Sequence, residues 1–139
     1  MIEYKTNKPI TVEQFEGIIR ETGLTRRLDD KERLANMMTH ADFLITAWEA
    51  GEIVGFARGL SDYSSVVYVA DLGVAKTHWK RGIGRSLMEQ VVAYVGEDTH
   101  IVLLASKLAE DYYSRLGFIK DPRGYVKLPV TLHKDDWQV

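Results

Sequence analysis

The chain has 139 residues and carries 18 lysines and arginines against 20 aspartates and glutamates, a net charge of −2. This length predicts a single domain spanning residues 1–139, and the slightly negative charge argues against a general nucleic-acid binder. The chain has no cysteine, which excludes disulfides, thiolate metal sites and a cysteine nucleophile. No apolar run approaches the roughly 20 residues of a membrane span, and residues 1–5 lack the apolar stretch of a secretory signal. We therefore expect a cytoplasmic protein that binds neither nucleic acid nor a membrane.

Hydrophobic spacing divides the first half of the chain into one strand, two helices and a hairpin. Thr11 and Gln14 form a capping-box pattern at the start of the first helix, and Gly23 ends that helix. The predicted elements, in chain order, are a strand at residues 2–5, a helix from Thr11 to Gly23, a short charge-rich helix around Leu34, and strands at 43–48 and 53–57 joined by a turn.

The second half alternates strands with helices. The predicted elements are a long strand at 66–74 buried on both faces, a basic loop at 76–81, a helix from Ile83 to Gly96, a central strand at 101–105, a helix at 107–116 stopped by Gly117, and short strands at 118–119 and 125–128. The order predicts a mixed α/β (α+β) fold. We expect a central, mostly antiparallel, twisted sheet of six to seven strands with one parallel crossover, flanked by about four helices.

A glycine-rich segment, Arg81-Gly82-Ile83-Gly84-Arg85-Ser86, connects the long strand to the clearest helix. Glycine lets a ligand approach the backbone closely, and the first N–H groups of a helix have no internal partner and carry partial positive charge. Cationic and histidine side chains concentrate here: Lys76, His78, Lys80, Arg81 and Arg85. These features predict an anion site that suits a phosphate-bearing ligand. The alternative is a tight turn with solvated cations.

Several other site types do not fit the sequence. Lys76-Thr77 is not preceded by the glycine of a Walker A loop, and Leu87 stands where a dinucleotide fingerprint needs a third small residue. Ser86 is not in a Gly-x-Ser-x-Gly elbow, because Met88 occupies the last position. The four histidines are widely scattered, so no metal site is predicted.

Two segments carry a family resemblance. Residues 79–88, Trp-Lys-Arg-Gly-Ile-Gly-Arg-Ser-Leu-Met, follow a strand that ends Asp-Leu-Gly-Val at 71–74. They resemble the acetyl-coenzyme A loop of the GNAT superfamily of N-acetyltransferases, usually written Gln/Arg-x-x-Gly-x-Gly/Ala. Residues 109–118 resemble the second signature of that family, in which a tyrosine, here Tyr113, lies four residues before the glycine of Leu-Gly-Phe. The resemblance in element order covers nearly the whole chain and implies a GNAT-like acyltransferase fold.

The resemblance implies transfer of an acetyl group from acetyl-coenzyme A to a primary amine by direct attack. In that reaction Tyr113 would face the coenzyme sulfur as general acid, or else it is a packing residue. Backbone N–H groups in Leu72–Val74 would polarise the thioester carbonyl. Gly73 suits a strand irregularity that turns an N–H towards the ligand, or else it makes room for a neighbouring segment. The implied coenzyme-binding residues are Leu72, Gly73, Val74, Trp79, Lys80, Arg81, Gly82, Ile83, Gly84, Arg85, Ser86, Ser106 and Tyr113.

The attacking amine must lose a proton. A free alkyl ammonium has a pKa of about 10, so a base or a desolvated site has to remove it. Asp71 interrupts an apolar strand, so it lies either at the active cleft or on a solvated face. It is the first candidate for this catalytic base, followed by Asp62 and then Glu49. Arg58 and Tyr63 either line the acceptor pocket or are ordinary surface residues.

Two positions depart from the family pattern. Trp79 stands where the family has Gln or Arg, and Ser106 stands where an asparagine often follows the next strand. They motivate a second hypothesis, a non-catalytic acyl-coenzyme A sensor or partner-binding module on the same fold. A third hypothesis, nucleic-acid binding through the loop cations, predicts a steep salt dependence. Two questions stay open: whether the acceptor is a small-molecule or a peptide amine, and whether the chain forms a homodimer in which Trp137 packs on the partner or instead covers the sheet of its own chain.

Overall fold

The computed structural model describes residues 1–132, and the chain divides after Leu104 into two compact units. Trp137, a candidate for a dimer contact, lies outside the described residues. The elements of the first unit are β1 (Glu3–Thr6), α1 (Val12–Thr22), α2 (Lys31–Thr39), β2 (Phe43–Glu49), β3 (Glu52–Ser61), β4 (Val66–Val74), a 3-10 turn (Lys76–His78), α3 (Ile83–Val95) and β5 (His100–Leu103).

The strands form one sheet in the order β1-β2-β3-β4-β5. Neighbouring strands are antiparallel except β4 and β5, which are parallel and connected through α3. The mixed α/β fold with a mostly antiparallel sheet and one parallel crossover is therefore confirmed. The predicted count of six to seven strands is wrong for the described residues, which contain five.

Helix α1 begins and ends where the sequence predicts. The Thr11 hydroxyl accepts a hydrogen bond from the Gln14 N–H at 3.0 Å, and the Gln14 side chain accepts one from the Thr11 N–H at 2.9 Å. Gly23 ends the helix in the left-handed conformation. The apolar face of α1 buries Phe15, whose ring packs edge-on against Phe56 of β3 with 5.5 Å between centroids. This helix therefore covers one face of the sheet.

The opposite face of the sheet is covered by α3. A side chain built at Gly55 of β3 would meet Leu87 and Ile83 of this helix, and the Phe43 ring of β2 contacts Tyr94 with 5.7 Å between centroids. The helix has 13 residues and ends before Gly96, as predicted. None of the described helices is long and apolar enough to cross a membrane.

The ladder between β3 and β4 slips by one residue at Ala70. Arg58 pairs with Asp71, whereas the next residue of β3, Gly59, pairs with Val69. Side chains alternate between the two faces of a strand, so one extra residue moves all the following side chains to the opposite face. Asp71 consequently shares a face with Arg58, while Val69 shares the other face with Gly59.

The run at 101–105 is not a central strand in the described part of the chain. It forms β5 at one edge of the sheet, and Val102 is half exposed. The continuous apolar run predicted a central strand. That prediction was wrong because hydrophobicity does not show whether a strand has neighbours on both sides.

Residues 105–132, the described part of the second unit, have less regular structure than the sequence predicts. The expected helix at 107–116 is a 3-10 turn, Lys107–Ala109, followed by a single helical turn, α4 (Tyr112–Arg115). The expected strands at 118–119 and 125–128 are absent, and Ile119 and Tyr125 are almost fully exposed. Apolar alternation marks residues that can join a sheet, but it does not supply the partner strand.

Candidate functional site

The start of α3 presents backbone N–H groups without partners. Gly82 precedes the helix in the left-handed conformation, with φ of 77°, and no side chain caps the helix. The first hydrogen bond of the helix runs from Ser86 N–H to the Gly82 carbonyl, so the N–H groups of Ile83 and Gly84 bond to none of the described residues. A Cβ atom built at Gly82 would meet nothing within 4 Å apart from its chain neighbours.

These features fit a diphosphate. Free N–H groups at a helix start attract anions through hydrogen bonds and the helix dipole. Lys80 also has a positive φ, 66°, and the loop therefore curls through two left-handed residues, an arrangement that favours an anion-binding concavity. The open space at Gly82 leaves this backbone accessible, as a ligand requires.

The basic loop is tied to the β2–β3 hairpin through Glu49. The Arg81 guanidinium donates to both oxygens of Glu49, at 2.8 and 3.3 Å, and His78 Nε2 lies 2.9 Å from Oε1. Hydrogen bonds from Arg81 and then from His78 lower the pKa of Glu49 to about 2. This guanidinium is therefore engaged with the hairpin, which favours the backbone of Arg81 over its side chain as a contact for an anion.

Trp79 lies between the loop and the end of β4. Its indole N–H donates to the Val74 carbonyl at 2.8 Å, and the residue is 48% exposed. At the position where the GNAT pattern has a flexible Gln or Arg, this chain therefore has a rigid indole that is hydrogen-bonded to the end of β4.

The last residues of β4 have one free edge. Pairing with β5 stops at Val69, whereas β4 continues to Val74. Ala75 N–H donates to the Val54 carbonyl of β3 at 2.8 Å, and antiparallel ladders alternate every second residue. Leu72 and Val74 therefore direct their backbone N–H groups away from β3, where no described residue accepts from them. This is the arrangement that a carbonyl-polarising N–H requires.

Gly73 is not itself the strand irregularity. It pairs in register with Phe56, and the bulge lies at Ala70 instead. A side chain at Gly73 would come within 2.8 Å of Thr22 and 2.9 Å of Leu24, both beyond or at the end of α1. The glycine therefore makes room for the chain that crosses β4 there, the alternative interpretation of this residue.

Asp71 is held between two arginines. Arg26 Nε lies 2.7 Å from Oδ1, and Arg58 Nε lies 2.5 Å from Oδ2. Arg26 also donates to the Ala70 carbonyl at 3.1 Å. The carboxylate has no exposed surface. A base needs a free oxygen to receive a proton, so these contacts favour a structural role over the predicted catalytic one.

The other two candidate bases are also engaged. Asp62 accepts hydrogen bonds from the Ser65 side chain and from the N–H groups of Ser64, Ser65 and Val66, which hold its pKa well below the usual range. Glu49 is fixed by Arg81 as described. In the described part of the chain, no group of three or more acidic residues and histidines could hold a metal ion.

Tyr113 and Ser106 lie in the second unit. The Tyr113 ring packs edge-on against Tyr112 and Phe118, at 5.3 and 5.6 Å between centroids. Desolvation, with a smaller contribution from Tyr112, raises the pKa of Tyr113 to about 12. The phenol therefore keeps its proton at neutral pH, as a general acid must. Ser106 precedes the 3-10 turn at Lys107 and its side chain does not cap that turn.

Arg26 was not among the predicted site residues. It lies in the connection between α1 and α2, 45 positions from Asp71 in sequence, and no local pattern pairs the two. Arg58, in contrast, was a candidate for the acceptor pocket, and it lies beside the bulge.

Known proteins are similar to this chain in sequence and in fold. An uncharacterized N-acetyltransferase, ycf52, of Gracilaria tenuistipitata var. liui is 29% identical over 85% of this chain and 67% of its own length. Serotonin N-acetyltransferase 2, chloroplastic, of Oryza sativa subsp. japonica is 28% identical over 85% of this chain and 61% of its own. A GNAT family acetyltransferase structure from Streptococcus pneumoniae aligns with a TM-score of 0.78 at 23% identity, covering 94% of this chain and 99% of the other.

The family model described as acetyltransferase (GNAT) family matches residues 10–118, which include the glycine loop, the open edge of β4 and Tyr113. The chain therefore belongs to the acetyltransferase (GNAT) family.

Proposed function

We propose that the protein is an N-acetyltransferase that uses acetyl-coenzyme A and a primary amine. The observation that carries the proposal is the pair of free N–H groups at Ile83 and Gly84, opened by the left-handed Gly82. They suit the diphosphate of the coenzyme. The coenzyme supplies the acetyl group as a thioester, which an amine can attack directly.

The chain's own groups have separate tasks in this proposal. The N–H groups of Leu72 or Val74 donate to the thioester oxygen as negative charge develops on it. Tyr113 protonates the departing sulfur, a role that rests on the Leu-Gly-Phe motif and on a phenol that stays neutral. The contacts of Asp71 leave no oxygen free, so we infer that the amine loses its proton to solvent rather than to this residue.

Family members that act on amines make an amine acceptor the natural class. The rice relative is named for serotonin, and a primary aryl-ethylamine is therefore a sensible first member of an acceptor panel. The test is release of free thiol from acetyl-coenzyme A on addition of single amines, with the acetylated product identified by mass. Thiol release that depends on the amine supports the proposal. Coenzyme binding with no turnover across small amines and peptides contradicts it.

The second candidate function is a non-catalytic acyl-coenzyme A sensor or partner-binding module. The specific observation that favours it is that Asp71, Asp62 and Glu49 are all engaged by hydrogen bonds, so none offers an uncommitted base. This candidate predicts coenzyme binding without any amine-dependent thiol release. The same assay therefore separates the two.

A further inference from the structure

The cluster of Arg26, Asp71 and Arg58 contains more positive than negative charge. Two guanidinium groups share one carboxylate, which leaves one net positive charge. The carboxylate has no exposed surface, and the Arg58 side chain is only 12% exposed. A charge in such surroundings is poorly solvated by water, and it gains from a compensating anion.

The two arginines differ in how many donors they have free. Arg26 uses its three nitrogens on Asp71 and on the carbonyls of Thr25 and Ala70. Arg58 uses only Nε, and none of the described residues accepts from its two terminal nitrogens. Every fully buried side-chain nitrogen in the described chain has a partner, so these two nitrogens reach solvent. They form a planar pair of donors with the geometry that a carboxylate matches.

The position of this pair relates it to the proposed acyl site. Arg58 lies two residues from Phe56, which packs against Phe15 of α1, so its side chain lies on the α1 face of the sheet. Its strand partner Asp71 directly precedes Leu72, the first residue of the free edge of β4. An anion on Arg58 and an amine beside Leu72 would lie within about 10 Å of each other.

We propose that Arg58 binds a carboxylate of the acceptor, so that the preferred substrate is an amine that also carries a carboxyl group, as amino acids and short peptides do. The proposal rests on the proposed acetyltransferase function and names its acceptor class. One net positive charge matches a carboxylate better than a phosphate monoester, which carries nearly two negative charges. Asp71 is then a positioning residue that orients the Arg58 fork.

The first test measures binding without the coenzyme. The Nε–Hε signal of Arg58 in a ¹H–¹⁵N spectrum, assigned through its own backbone, is followed while tryptophan or tryptamine is added at millimolar concentration. These probes differ only in the carboxylate. The proposal predicts a saturable shift with tryptophan and none with tryptamine; equal responses, or no response to either, would overturn it.

The second test measures turnover with two matched pairs, tryptophan against tryptamine and lysine against cadaverine. We expect kcat/KM to favour the carboxylate member of at least one pair by roughly tenfold or more, the scale of a charge-assisted hydrogen bond. Arg58→Lys should reduce that preference mainly through KM, whereas Arg20→Lys, on the exposed face of α1, should not change it. A wild-type preference for both amines without the carboxylate would contradict the proposal.

Failure of the proposed acetyltransferase function and failure of the proposed carboxylate site can be distinguished by experiment. Absence of acetyl-coenzyme A binding would end the proposed function, whereas the arginine signal is recorded on the protein alone. If Arg58→Lys does not fold, the substrate preference of the wild-type enzyme and the Arg58 signal still test whether Arg58 binds a carboxylate.

Discussion

Arg58 Nε lies 2.5 Å from Asp71 Oδ2 across the β3–β4 ladder, and Arg26 engages the other oxygen of the same carboxylate. The register slip at Ala70 creates this relationship, because without it Asp71 would lie on the opposite face of the sheet. Among the described residues, the side chains that donate to this buried carboxylate are those of Arg26 and Arg58, and a buried charge needs such partners. The carboxylate therefore joins the connection after α1 to the end of β4.

The first prediction concerns Asp71. Asp71→Asn leaves two guanidinium groups beside an amide, and removing one member of a buried ion cluster costs about 3–5 kcal/mol of unfolding free energy. Chemical denaturation measures this loss. Asp121→Asn is the matched control, since its ion pair with Arg123 is exposed and its loss should change the stability much less than the loss of Asp71 does. An Asp71 variant of unchanged stability that loses all turnover would instead identify Asp71 as the catalytic base.

The second prediction concerns the clamp between the hairpin and the basic loop. The folded-state pKa of Glu49, about 2, lies below its ordinary value of 4.5, so the stabilisation is present above pH 4.5 and is lost as the pH falls towards 2. Glu49→Gln should lower the melting temperature modestly at pH 7, and the difference from wild type should shrink below pH 4.5. Glu16→Gln on α1 serves as the control. A difference that does not depend on pH would contradict the ionic origin of the clamp.

The third prediction concerns Tyr113. Tyr113→Phe should lower kcat at least tenfold, a modest loss for a general acid, and should leave the coenzyme affinity nearly unchanged. With its pKa raised to about 12, the phenol stays protonated, so kcat should show no alkaline loss from this group below about pH 11. Steady-state rates across pH measure both effects. Tyr112→Phe, next in sequence, is the control; equal losses in the two variants would show that Tyr113 acts through packing.

Local signals in the sequence predicted most of the first unit. The Thr11 capping box, the stop at Gly23 and the helical spacing of α3 involve residues within one or two turns of each other, and the structure has all three. The predicted strand count was wrong for residues 1–132 because a strand needs a partner that its own residues do not specify. Tyr125 is the clearest case, since it lies in an apolar stretch and is almost fully exposed.

The candidate site was predictable only where it depends on backbone. The sequence places the start of α3 directly after Gly82, and the structure has that start, with Gly82 in a left-handed conformation that the sequence analysis did not predict. The pairing of Arg26 with Asp71 joins residues 45 positions apart, and that of Arg81 with Glu49 joins residues 32 apart. Such contacts depend on the strand register and on the bulge, and neither can be predicted from a short sequence motif. Asp71 consequently looked like a free base in the sequence and is an ion-paired residue in the structure.

The fourth prediction tests the central claim, that the backbone at the start of α3 binds the diphosphate of acetyl-coenzyme A. Gly82→Val and Gly96→Val alter the two ends of the same helix. Both glycines have a positive φ, of 77° and 94°, and a Cβ atom at either would meet nothing within 4 Å apart from its chain neighbours. Both variants should therefore lose stability through backbone strain of about 1–3 kcal/mol, and only Gly82→Val should place methyl groups against the free N–H groups.

Isothermal titration of acetyl-coenzyme A into the wild-type protein and these two variants is the most direct measurement. Diphosphate binding by this backbone predicts that acetyl-coenzyme A binds to wild type, that Gly82→Val loses affinity by roughly tenfold or more, and that Gly96→Val keeps the wild-type affinity. No binding to wild type at millimolar coenzyme, or equal affinities in the two variants, would contradict it.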